Sequence, residues 1–182
     1  MTTPTGPAAP AAPAAPAAPA APAAPTGPAA PAGPAAPATP PMCPAHGPGP
    51  DLAELVGRRL TGVVASWYSH EGERAADPVV VWLRDDRGGC TFVGTGSDWC
   101  LIVADDRPHA DVDLGEWGRL DVRDAPHDTP FAPHLGHPVL AAREEHTPLT
   151  GRTALELDFP TGTVRCESWD GDLRLTATED PR

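Results

Sequence analysis

Residues 153–178, TALELDFPTGTVRCESWDGDLRLTAT, alternate apolar and polar side chains and are broken by two glycine-containing turns. Alternation with a period of two is typical of strands that bury one face. An Asp-Gly pair between two such runs is a strong hairpin signal. The stretch therefore predicts a three-stranded antiparallel meander, with strands near 153–159, 163–169 and 172–178.

The first turn predicts which residues of the meander face each other. With the hairpin tip at residues 161–162, Leu157 faces Cys166 on one side of the sheet. On the other side Asp158 faces Arg165, which places opposite charges directly across from each other. A one-residue slip would move every side chain to the wrong face.

The second turn gives an independent register. With its tip at residues 170–171, Cys166 faces Leu175 and Glu167 faces Arg174. Both registers place Cys166 among leucines, so this thiol is expected in the core as a small hydrophobic side chain.

The chain upstream of the meander continues the β pattern from residue 51 onward. Asp51 is placed to cap one short helical turn, and Trp82 and Phe92 should form an aromatic pair across a hairpin. Further strands are predicted at 60–68, 79–84, 90–93, 101–104 and 139–145. Residues 111–123 could be strand or short helix. The proline-rich residues 125–138 should be loop. Seven to nine short strands without a long helix predict an all-β domain, either a small antiparallel barrel or a two-layer sandwich.

The first 50 residues have a different composition. Pro, Ala and Gly make up 41 of them, in an Ala-Ala-Pro repeat without a charged residue. Proline prevents helix formation, and alanine buries too little area to offset chain entropy. We expect a disordered spacer at 1–50, one domain at 51–178 and a short tail at 179–182. An alternative translation start at Met42 stays open.

Net charge limits the classes of partner. The chain has 25 acidic residues against 13 arginines, a net charge of −12, and it has no Lys, Asn or Gln, a bias typical of GC-rich bacterial genomes. A strongly acidic protein is a poor ligand for nucleic acid.

The sequence also limits where the protein is expected. No apolar run is long enough to span a membrane. Without the features of a secretory signal, the chain is expected to be cytoplasmic. The expected partner is another protein, and the charge favours a basic one.

Exposed aromatic residues and acids supply the candidate binding surface. Tryptophans beside loops often mark interfaces, and a solvated acidic rim can dock a basic partner. The predicted binding residues are Asp98, Trp99, Asp111, Asp113, Glu116 and Trp169.

Cysteines and histidines give weaker signals. If residues 94–96 form a loop, Cys90 falls opposite Cys100, and a disulfide is possible there, although a reducing compartment favours two small buried thiols. His127, His134 and His137 lie in the proline-rich loop and are weak metal-ligand candidates, because a loop fixes no ligand geometry. No metal site and no cofactor is expected.

No nucleophile elbow, P-loop or dinucleotide-binding fingerprint occurs in the chain. The sequence therefore favours a non-catalytic protein-binding module, adaptor or immunity-like, over an enzyme. The alternative is a small enzyme or ligand carrier that uses the barrel mouth and the His127–His146 region.

Overall fold

The computed structural model describes Gly47 and residues 49–178, which form eleven strands and three short 3-10 turns. The expectations for the Ala-Pro segment, for a start at Met42 and for the 179–182 tail concern residues outside the described ones. The strands are β1 (Leu60–His70), β2 (Glu73–Arg74), β3 (Val80–Asp85), β4 (Cys90–Thr95), β5 (Leu101–Asp105), β6 (Val112–Asp113), β7 (Arg119–Asp124), β8 (Ala141–Thr147), β9 (Gly151–Phe159), β10 (Gly162–Trp169) and β11 (Asp172–Thr178). The turns are Leu52–Leu55, Gly115–Trp117 and Ala132–His134. No helix in the described part is long and apolar enough to cross a bilayer.

The strands form two antiparallel sheets. The large sheet has the order β5-β4-β3-β1-β7-β6, with β2 paired to the end of β1. The small sheet has the order β11-β10-β9-β8. The domain is therefore all-β, as the sequence predicts, and nine of its strands have five or more residues.

One face of each sheet supplies the main hydrophobic core. Val63, Ala65 and Trp67 alternate along β1, and Leu155 and Leu157 alternate along β9; all are buried. This is the period-two pattern of strands with one covered face. Burying these side chains is the main source of stability for such a domain.

The strand β3 is buried on both faces, which explains its continuous apolar run. Val81 points into the core, and the next residue, Trp82, is also fully buried on the opposite face. There it packs edge-on against Phe92, with ring centroids 5.8 Å apart, and against His109 at 5.1 Å. The predicted Trp82–Phe92 cross-strand pair is confirmed.

The two sheets are joined by backbone pairing at one corner. The chain before β1 runs antiparallel to the chain before β8, and Gly57 donates to the Val139 carbonyl at 2.8 Å. Leu60 donates to the His137 carbonyl at 3.0 Å and accepts from Gly136 at 2.7 Å. These bonds link the start of β1 in the large sheet to the residues just before β8. They therefore hold the first strand of the small sheet beside the large sheet.

The C-terminal meander lies where the sequence predicts it, with one correction to its register. The second hairpin has the predicted partners, including Glu167 opposite Arg174. In the first hairpin Leu157 faces Val164 and Cys166 faces Leu155, a shift of two residues that makes the predicted partners wrong.

The shift keeps each side chain on its predicted face, because side chains repeat with a period of two. It also moves the charges: Arg165 lies opposite Glu156 rather than Asp158. A tip at residues 161–162 would also place Glu156 opposite Glu167, a like-charge pair that the observed register avoids, because Glu167 lies opposite Ala154.

The predicted Cys90–Cys100 alignment is also wrong. Cys90 pairs with Arg84, and Thr95 is the residue that pairs with Leu101. The connection is a longer loop over residues 96–100, closed by the Gly96 N–H donating to the Cys100 carbonyl at 2.9 Å. Cys90 and Cys166 are free thiols.

Replacing Cys166 with aspartate should be severely destabilising. Cys166 is completely buried, and burial raises the pKa of its thiol to about 12. An unpaired carboxylate at this position costs several kcal/mol, which is on the order of a small domain's whole stability. Thermal unfolding followed by circular dichroism measures the loss.

Thr176→Asp is the matched control. Thr176 lies opposite Arg165 on the solvated face of the same sheet, so its melting temperature should stay within a few degrees of the parent chain. A Cys166→Asp variant that melts as late as this control would contradict the core assignment.

Candidate functional site

A cleft of about 590 Å³ opens at the end of the domain where the large and small sheets come together. The 75–79 connection before β3 and the turn between β10 and β11 both contribute to its lining. We call it the Tyr68 cleft. It is lined by Tyr68, Asp77, Val79, Leu120, Asp172 and Leu173, among others.

Tyr68 is held in place by the segment that leads into β7. Its ring lies opposite Leu120 in the strand register, and its hydroxyl donates to the Trp117 carbonyl at 2.8 Å. Gly118 allows this contact: its φ is +94°, and a Cβ there would collide with the Ser69 carbonyl. The tyrosine thus remains 36% exposed at a fixed position.

Trp99 lies beside the cleft on the loop between β4 and β5. Its side chain is 61% exposed, and its ring lies against Gly171, which lines the cleft. Thr95 ties this loop to the same turn, since its hydroxyl donates to the Gly171 carbonyl at 2.7 Å. Trp99 has a φ of +63°, a left-handed conformation that is unusual for a bulky residue and costs about 1 kcal/mol or more.

Trp169 ends β10 on the other side of the same turn. It lies on the outer face of the small sheet and is 57% exposed. The Arg174 guanidinium lies 5.1 Å from its ring centroid, a cation–π contact. Trp99 and Trp169 therefore flank one β-turn, Asp170-Gly171, although 70 positions separate them in the sequence.

Carboxylates on the outer face of the small sheet are neutralised locally. Arg165 contacts Glu145, Glu156 and Glu167, and Arg143 binds Asp158. The guanidinium hydrogen bonds from Arg165 and Arg143 hold the pKa values of Glu145 and Asp158, respectively, below their ordinary values.

Carboxylates around the Tyr68 cleft have no such neutralisation. Asp77, Asp170 and Asp172 form no ion pair and accept no side-chain hydrogen bond from any residue that the structure describes. Asp77 and Asp172 line the cleft. Unpaired carboxylates therefore line the same cleft as Tyr68, with Trp99 beside it.

The other predicted binding residues are placed as two groups. Asp98 precedes Trp99 on the loop between β4 and β5, where its carboxylate accepts the Cys100 N–H, whereas Asp111, Asp113 and Glu116 lie on the segment of residues 111–118 before β7. That segment borders a second cleft of about 450 Å³, lined by Ser69 and Asp113 among others. Since Tyr68 and Ser69 are consecutive, both groups flank the end of β1.

Two of these acids also have local structural roles. Asp111 accepts the Val122 N–H at 2.8 Å and pairs with Arg119. Asp113 accepts the N–H of Gly115, the first residue of the short turn that follows, at 2.9 Å. Their carboxylates hold the 111–118 segment, whereas Glu116 is exposed.

His134 differs from the expected exposed loop residue. It is 2% exposed, and its ring stacks on Phe159 with centroids 4.6 Å apart. Its Nδ1 lies 2.6 Å from the Thr161 hydroxyl, while Nε2 is buried without a hydrogen bond. Burial, and to a lesser degree nearby His137, lowers its pKa. His134 is therefore part of the packed interior.

The remaining histidines have separate surroundings. His127 is exposed, His137 is half-buried, and His146 lies 2.9 Å from Glu144, which also binds Arg152. Within the described residues, no three side chains of the types that bind metals form a group that could hold an ion.

Comparison with known proteins places the chain in no group: no family model, no curated protein and no solved structure matches it.

Sequence reasoning missed three of the residues that form the Tyr68 cleft. Asp172 carried a usable signal, because it follows the predicted 170–171 turn beside Trp169. Tyr68 and Asp77 carried none, since their proximity depends on how β1 and the connection before β3 approach the small sheet.

Acidification should destabilise the domain through His134. Because its folded-state pKa lies below the ordinary value of 6.5, the unfolded chain takes up a proton that the folded domain does not. The contribution of neutral His134 to the free energy of unfolding is complete above pH 6.5. It declines as pH falls from there towards the folded-state pKa. Urea unfolding at pH 7.5 and 5.5 should show the decline.

His134→Gln should reduce the difference in unfolding free energy between the two pH values, whatever its effect at either one. The exposed His127→Gln variant is the control and should keep the parent difference. An unchanged pH difference in His134→Gln would exclude this origin.

Proposed function

We propose that the domain is a non-catalytic protein-binding module, of an adaptor or immunity-like kind, that docks a basic segment of another protein at the Tyr68 cleft. The observation that carries the proposal is the occurrence, in and beside one cleft, of exposed aromatic side chains together with carboxylates that have no cation partner among the described residues. Each property is common alone, but together they define the chemistry of a partner.

The aromatic residues supply the contact area. Tyrosine and tryptophan dominate the binding energy of protein interfaces, because they bury large areas with little loss of side-chain entropy. Tyr68 and Trp99 are both fixed by backbone contacts before any partner arrives. A pre-positioned ring loses less entropy on binding than a mobile one.

The unpaired carboxylates supply the selectivity. Asp77 and Asp172, which both line the cleft, favour an arginine or lysine side chain there and disfavour an acidic segment. The outer face of the small sheet offers no comparable attraction, because its arginines already contact its carboxylates. Exposed ion pairs of that kind gain little from a partner.

A random-peptide display library, selected against the full chain, tests the proposal. Selected peptides should be enriched in arginine or lysine together with apolar residues. Affinity measured by calorimetry should fall as salt rises, because exposed charges are screened over about 10 Å at 0.1 M salt. Selection of acidic peptides, or affinity independent of salt, would contradict the proposal.

Variants of the chain locate the binding surface. Trp99→Ala should weaken the selected peptide by about thirtyfold, equivalent to a hot-spot loss of about 2 kcal/mol. Asp77→Asn and Asp172→Asn should each weaken it by about two- to fivefold, as expected for exposed charge pairs.

Two controls accompany these variants. Leu149 is 89% exposed, and Leu149→Ala should leave the affinity unchanged. Asp105 is an exposed acid at the end of β5 away from the Trp99 loop, and Asp105→Asn should also have no effect. Equal losses in the controls and the cleft variants would exclude the Tyr68 cleft as the docking site.

A further inference from the structure

We infer that the basic partner covers a second part of the surface, the Trp117 loop of residues 114–118, while it occupies the Tyr68 cleft. The inference rests on the proposed function and concerns the extent of the same docking surface. It depends on a tryptophan that is not among the binding residues predicted from the sequence.

Trp117 is more exposed than any other Trp, Tyr or Phe that the structure describes. It is 71% exposed, and within the described residues its ring makes no aromatic or cation–π contact. Trp169, by contrast, has the Arg174 guanidinium against its ring. A tryptophan that stays in water contributes little to folding, and tryptophan is enriched among the residues that dominate protein interfaces.

The backbone of the loop holds Trp117 in place. Its N–H donates to the Leu114 carbonyl at 3.3 Å, and the Leu114 N–H donates to the Gly118 carbonyl at 2.9 Å. The Gly118 N–H in turn donates to the Gly115 carbonyl at 3.2 Å. The loop is therefore closed by its own hydrogen bonds, and a side chain presented in this way needs less ordering when a partner binds.

The Trp117 loop is attached directly to the Tyr68 cleft. The Tyr68 hydroxyl donates to the Trp117 carbonyl at 2.8 Å, and Tyr68 lines the cleft. The backbone of Trp117 is therefore one hydrogen bond away from a side chain of the cleft. A bound peptide advances about 3.3 Å with each extended residue, so a few residues span this separation.

Exposed apolar side chains are concentrated around these two parts of the surface. Among the described residues ten large apolar side chains are exposed, and seven of them line the cleft, flank it or belong to the 111–118 segment. These seven are Tyr68, Val79, Trp99, Val112, Leu114, Trp117 and Trp169. Exposed apolar groups gathered at one place mark interaction sites, whereas scattered ones need no explanation.

The charge of the loop matches the charge of the cleft. Glu116 is exposed, and neither Glu116 nor Asp113, just before the loop, forms an ion pair with a described residue. The nearby Arg119 is already paired with Asp111 and Asp121. One basic partner therefore suits both parts. A second copy of this chain is a poorer occupant, because two chains with a net charge of −12 repel each other.

The probe for the test is the tightest peptide of about 20 residues selected against the full chain, which reaches about 60 Å when extended. Trp117→Ala should weaken it about tenfold, and Glu116→Gln should weaken it about two- to fivefold. Trp117→Phe keeps an aromatic ring and should recover most of the affinity. All three variants should melt with the parent chain, and Leu149→Ala should bind as the parent does.

Dividing the peptide separates the two parts of the surface. One half should be weakened by Trp99→Ala and not by Trp117→Ala, and the other half should show the reverse. The intact peptide should bind at least about 100-fold more tightly than either half, because its second contact becomes intramolecular.

The outcomes separate the two proposals. A basic peptide that Trp99→Ala weakens, but that Trp117→Ala and Glu116→Gln leave unchanged, would overturn the second part and leave the Tyr68 cleft as the docking site. Failure of the library to yield any basic peptide would overturn both. A dimer in sedimentation that Trp117→Ala dissociates would assign the loop to a second copy and overturn the inference.

Discussion

Burial of one apolar face of each sheet against the other is the constraint on which the rest of the structure depends. The core requires Val63, Ala65 and Trp67 on the large sheet to meet Leu155 and Leu157 on the small sheet. A strand that buries every second residue must present the intervening residues elsewhere. The polar chemistry of this domain is therefore confined to outer faces and to the ends of the strands.

The outer faces and the strand ends differ in how many of their carboxylates have an arginine partner. With 13 arginines against 25 acids, the chain cannot neutralise every carboxylate. On the outer face of the small sheet, strand register places Arg165 between Glu156 and Glu167, so neutralisation follows from the pairing itself. Loop ends have no such register, and Asp77 and Asp172 lie there without a cation in the described structure. The outer face of the small sheet therefore has paired charges, whereas the Tyr68 cleft keeps carboxylates that can attract a basic partner.

Sequence patterns predicted the parts of the fold that depend on short-range spacing. The second hairpin, with Cys166 facing Leu175, follows from one Asp-Gly turn and strict alternation. The first hairpin was misplaced by two residues, because such a slip leaves each side chain on the same face. The alternation alone carries no information that distinguishes the two registers.

Contacts between distant segments could not be predicted in the same way. Trp99 and Trp169 were identified as exposed aromatic residues, but their positions beside one turn follow from a long-range contact, in which the Thr95 hydroxyl donates to the Gly171 carbonyl. His134 was expected on an exposed loop because its neighbours are prolines. It is buried because the 125–139 segment folds inward, with Phe131 and His134 packed against Phe159.

Hydroxyl-radical footprinting tests the central claim most directly. The full chain would be oxidised alone and together with a protein that it retains from an extract of its host. The account predicts that the partner protects Tyr68, Trp99 and Trp169, while Leu149 stays as reactive as in the free chain. Protection of Leu149 or Leu140 with the two tryptophans still fully reactive would contradict it, because the partner would then dock away from the Tyr68 cleft.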